Sequence, residues 1–163
     1  MSRRTLVPAL ALSLVSASAL LGASASAAKW PAWLSVEAPV NPYEPGARGA
    51  ALLVHAAVAS GAVQLSELTG TAEGIVNGGR RTVPLRFDAT SRAGVFALQR
   101  QWPTEGAWML RIALRSTTLL VRLDRDGNVA AARVPMRQTP GGTVPRAVAA
   151  REIDSTLAEA ARQ

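Results

Sequence analysis

The stretch Thr69 to Phe87, TGTAEGIVNGGRRTVPLRF, constrains the fold more than any other part of the chain. Asn77-Gly78-Gly79 supplies the positive-φ positions that a tight hairpin requires. Thr71 to Val76 forms one arm. In the other, Val83, Leu85 and Phe87 alternate with Thr82, Pro84 and Arg86, as a half-buried strand should. Pro84 has no N–H to give a ladder, which places its strand at a sheet edge.

The same rhythm repeats along the chain. Trp33 to Ala38 reads as a first strand, followed by a loop enforced by Pro39, Pro42 and Pro45-Gly46. Ala50 to Ala59 is an apolar run that fits a strand buried on both faces or a short helix; its valines and flanking glycines favour the strand. A short strand is expected at Ala62 to Leu65. Further strands are expected at Val95–Gln99, Ala107–Leu114, Thr118–Asp124 and Val129–Val134. Asp124-Arg125-Asp126-Gly127-Asn128 is a turn between the last two, since a calcium loop would need Gly at 129 and Glu at 135, where Val129 and Pro135 stand. Seven to nine short strands with near-regular turn signals predict an all-β fold, an immunoglobulin-like antiparallel β-sandwich over residues 28–137. Residues 138–145, rich in Pro and Gly, read as a linker. Residues 146–163 read as a C-terminal α-helix with Ala149, Ile153, Leu157 and Ala160 on one stripe.

The first 27 residues are expected to be a signal peptide. Arg3-Arg4 precede an apolar run from Leu6 to Leu21, and Ala25-Ser26-Ala27 offers a cleavage site before Ala28, with Ala23-Ser24-Ala25 as the alternative. Export would place the protein in the periplasm or outside the cell, with no membrane span remaining after cleavage. The chain has no cysteine, so disulfides and thiolate metal sites are excluded. Apolar residues make up 48% of it, enough to build a core without covalent staples. The net charge is +7, which favours anionic polymers or surfaces, yet only Arg80-Arg81 form an arginine doublet on the strands. No nucleic-acid-binding motif occurs, and export argues against such a partner.

Catalytic constellations are not evident. His55 is the only histidine and lies in an apolar run, where packing outweighs ligation. With Met109 and Met136 it could join a copper(I) site, because thioethers suit that ion, but no Met-x-x-Met or His-x-x-Met spacing supports one. Glu73 and Glu105 could pair as glycosidase carboxylates across a cleft, or simply meet Arg80 or Arg81. Neither a nucleophile elbow nor a phosphate-binding glycine loop is present. Of the four tryptophans, Trp30 and Trp33 flank Pro31, and Trp102 and Trp108 flank a Pro-Thr-Glu-Gly connection. Trp108 is in phase with Leu110 and Ile112 and is expected in the core. Trp102, at a strand end, is the candidate for ligand or partner contact, together with Arg80 and Arg81.

The segment AGVFALQRQWPTEGAWMLRIAL, preceded by AEGIVNGGRRTVPLRFDAT, resembles small bacterial periplasmic immunoglobulin-like domains of the YtkA-like and FixH-like groups. The resemblance covers about Ser35 to Leu123 and implies a sandwich. Copper-linked members of those groups carry Met/His motifs that this chain lacks, so no functional residue carries over. The expectation is a non-enzymatic binding or accessory module of the bacterial cell envelope, without cofactor, contacting a protein or polymer partner. Two alternatives stand beside it: a carbohydrate or cell-wall polymer binder using Trp102 and the arginines, and a periplasmic copper-handling protein.

Overall fold

The structure, a computed structural model, describes residues 32–162. The expected signal peptide and Trp30 lie outside the described residues. In chain order the strands are β1 (Trp33–Glu37), β2 (Ala50–Ala57), β3 (Leu68–Val76), β4 (Gly79–Pro84), β5 (Asp88–Ala89) and β6 (Val95–Gln99). They continue with β7 (Ala107–Leu114), β8 (Thr117–Leu123), β9 (Val129–Arg133), β10 (Met136–Thr139) and β11 (Gly142–Pro145), before helix α1 (Ala150–Ala160). One antiparallel sheet has the order β1-β2-β6-β5 and a second the order β4-β3-β7-β8-β9. β10 and β11 pair only with each other.

The two sheets enclose one core. Leu34, Leu52, Val54, Phe96 and Leu98 come from the first, and Ala72, Trp108, Leu110, Ile112 and Val121 from the second. Alternation along β7 makes the division: Trp108, Leu110 and Ile112 point inward, while Met109 and Arg111 point out. Each large aliphatic side chain removed from water contributes roughly 1.5–3 kcal/mol before conformational entropy is counted. The Trp108 ring lies so close over Gly74 that any Cβ there would overlap it. Its indole N–H donates to the Glu105 carbonyl at 2.7 Å, so the polar end of the ring is satisfied.

The β3–β4 connection is the hairpin that Asn77-Gly78 specifies. Asn77 has φ 51° and Gly78 φ 75°, the pair of positive values of a type I′ turn. Pro84 ends an edge strand, as its missing N–H requires. Asp124 behaves as a turn residue: its Oδ1 accepts the Asp126 and Asn128 backbone N–H groups at 2.9 and 2.8 Å.

Three expectations need correction. Ala62–Leu65 is not a strand; Val63 is buried, and a single 3₁₀ turn at Leu65–Glu67 follows, closed by the Glu67 carboxylate on the Gln64 N–H at 3.0 Å. Residues 138–145 are not a linker but most of the β10–β11 ribbon, so the boundary at 137 falls inside β10. The Pro140-Gly141 pair that suggested a linker marks the ribbon's turn, where the Thr139 hydroxyl donates to the Gly142 carbonyl at 2.6 Å. The helix begins at Ala150 rather than 146, because Ala149 is extended and the Arg146 N–H is held by the Pro135 carbonyl. Of its expected stripe, Ile153 and Leu157 are buried against Met109 and Leu120, on the outer face of the second sheet.

Candidate functional site

The core between the sheets is apolar, and each sheet carries a further apolar cluster on its outer face. On the first sheet, Leu53, Val95 and Ala97 point outward and are covered by Ala47 from the loop joining β1 to β2. Beside this patch four side chains are linked to one another, while Arg48 of the same loop has no ion-pair partner among the described residues. His55 Nε2 meets Glu37 Oε2 at 2.9 Å, and Arg92 reaches Glu37 at 3.2 Å and Glu44 at 3.0 Å. The bond from His55, and next that from Arg92, hold the Glu37 carboxyl below its ordinary value.

On the second sheet α1 provides the cover, and ion pairs flank its apolar contact. Glu73, 8% exposed, accepts hydrogen bonds from Thr71, Arg80 and Thr82 at 3.0–3.1 Å. Burial alone would raise its pKa, but these three donors together hold it below the ordinary value. Arg80 also pairs with Asp154 of the helix. Glu152 takes both terminal nitrogens of Arg146, at 2.8 and 3.0 Å, and one of Arg133 at 3.0 Å. Arg146 foremost keeps Glu152 deprotonated below the usual carboxylate range.

The helix leaves a cleft at each end. Beyond its last turn, Ala160 and Ala161 face Ile75, Gly106, Arg122 and the Asp124–Asp126 turn around about 690 Å³. Before its first turn, a cleft of about 620 Å³ is lined by Arg111 of β7, Arg115 and Ser116 of the β7–β8 turn, Thr118 of β8, Arg137 of β10 and Arg146. Arg115 is bound to Glu67 at 2.9 Å, and Arg146 to Glu152. The guanidinium groups of Arg111 and Arg137 have no hydrogen-bond or ion-pair partner among the described residues.

The residues chosen from sequence do not converge. Trp102 is 3% exposed and belongs to the core between the sheets, so it cannot serve as the contact expected of it. Its indole nitrogen is buried without a partner. Strand-end position suggested a rim residue, but the chain turns inward at Trp102 before Pro103 carries it out again. Arg80 is occupied by Glu73 and Asp154 on the opposite side of the second sheet from that core. Arg81 is exposed on the edge strand β4 and joins neither. Among the described residues the exposed tryptophan is instead Trp33, at 57% on β1.

The copper donor set is likewise dispersed: His55 pairs with Glu37 on the first sheet, Met109 is buried under α1, and Met136 is exposed on the ribbon. Glu73 is tied into its hydrogen-bond network, while Glu105 is exposed in the β6–β7 connection and contributes its backbone carbonyl to Trp108. Trp108 is in the core as expected. The arginine cleft was not visible in sequence, because its members are separated by a strand, a turn and the supposed linker. The outward phase of Arg111 opposite Leu110 and Ile112 was the one available signal.

These observations define the class: an all-β sandwich of two antiparallel sheets with a C-terminal helix docked on one outer face. Comparison with protein-family models, curated proteins and solved structures finds no match to this chain.

Proposed function

We propose that the chain is an exported, immunoglobulin-like, non-enzymatic binding or accessory module of the bacterial cell envelope. The strand order supports the immunoglobulin-like reading: β1-β2-β6-β5 against β4-β3-β7-β8 parallels an A-B-E-D sheet facing a C′-C-F-G sheet, with β9 added at one edge. It also agrees with the sequence resemblance to the periplasmic YtkA-like and FixH-like groups. The observation that carries the binding function is the position of the clefts. Both flank α1 on the outer face of the second sheet, and one presents two arginines without a counter-charge among the described residues.

Polymer binding remains a second reading, now resting on this cleft rather than on Trp102. Pull-down from a bacterial envelope extract, using the immobilised full chain, tests the main proposal. A partner is expected that is retained by the chain and lost on Arg111→Gln/Arg137→Gln. Reproducible absence of any partner counts against it.

A further inference from the structure

We propose that the cleft before α1 is a binding site for a phosphate monoester group. This inference rests on the binding-module reading and specifies its ligand. Four arginines line the cleft, and arginine is the residue whose planar guanidinium fork matches the oxygens of a phosphate. Two of the four charges are already answered, Arg115 by Glu67 and Arg146 by Glu152. The remaining two, on Arg111 and Arg137, leave a local excess that suits a dianion better than a single carboxylate. Ser116 and Thr118 add hydroxyls that can donate to further phosphate oxygens.

The arrangement is held from several sides. Arg111 projects from β7 in the middle of the second sheet, where neighbouring strands fix its backbone. Arg137 lies on β10, opposite Val144 in the ribbon. Arg146 is clamped bidentately by Glu152, which fixes the wall of the cleft beside the two free arginines. The cleft is also large enough to accept the carrier of the phosphate, whether a soluble phosphoester or a lipid headgroup.

Calorimetric titration of the full chain with inorganic phosphate, glycerol 3-phosphate and acetate at low salt tests the site. Flotation with phosphatidylcholine vesicles containing phosphatidic acid distinguishes the sources. Saturable binding of the phosphates, much weaker binding of acetate, and a loss of about tenfold or more in Arg111→Gln/Arg137→Gln are expected. Arg48→Gln/Arg86→Gln removes the same charge from exposed positions outside the cleft and should change affinity less than about twofold. Binding of both glycerol 3-phosphate and the vesicles supports recognition of the phosphate itself; flotation without soluble binding assigns the source to a lipid headgroup. No binding to either, acetate binding as tightly as phosphate, or equal losses in the two double variants overturns the proposal. An envelope partner captured without any phosphate binding sinks this inference alone. Phosphate binding without a captured partner leaves the site standing and removes the protein-partner reading.

Discussion

On the outer face of the first sheet, the β1–β2 loop closes over Leu53, Val95 and Ala97, and Glu37, Glu44, His55 and Arg92 join in one chain of contacts. On the second, α1 covers Met109 and Leu120 but leaves Arg111 and Arg137 unanswered beside it. A helix of eleven residues is a rigid rod about 16 Å long, and a twisted sheet falls away from it at both ends. The clefts are therefore a geometric consequence of covering a sheet with a helix. Their chemistry comes from what the neighbouring strands and ribbon project into them.

The contrast can be broken most forcefully at Leu157. Leu157→Ala removes one of the two buried helix anchors and should cost about 2–5 kcal/mol of docking. Hydrogen exchange should then rise throughout α1 while the β2 and β6 amides stay protected; equal loosening of both faces would show that the covers are not independent. Acid should sharpen the difference more gently. Glu73 is held below its ordinary value of 4.5, so its contribution is complete above that pH and is lost as pH falls through the lower folded value. Glu73→Gln should lower stability by about 1–3 kcal/mol at neutral pH, with a gap to the parent that shrinks on acidification. Urea midpoints across a pH series would measure it, and a pH-independent gap would contradict the assignment. The smallest effect belongs to the loop face. Arg92→Ala removes a half-exposed bridge and should cost less than about 1 kcal/mol, a loss that added salt in the parent should partly reproduce.

Much of the sandwich was readable from local chemistry. Asn77-Gly78 can adopt the two positive φ values of its turn, Pro84 cannot sit in a central strand, and the period-two pattern of β7 assigns Trp108 to the interior. Such features depend on a residue and its immediate neighbours. Composition was less faithful at 138–145, because Pro-Gly marks a turn equally well between two strands and within an unstructured linker.

The candidate site lay beyond this reach. Residue type and sequence position point to Trp102 and Arg81, yet one is enclosed by both sheets and the other stands apart on an edge strand. Arg111, Arg115, Arg137 and Arg146 looked like charges scattered on solvated faces; folding brings them around one opening. The amino-acid order by itself determined most strands of the two sheets, the Asn77-Gly78 and Asp124–Asn128 turns and the inward side of β7, because backbone sterics and hydrophobic alternation act over a few residues. Only the tertiary structure decided where α1 docks, which arginines find carboxylates and which remain free. Those outcomes depend on distances between segments far apart in the chain, and no local pattern encodes them.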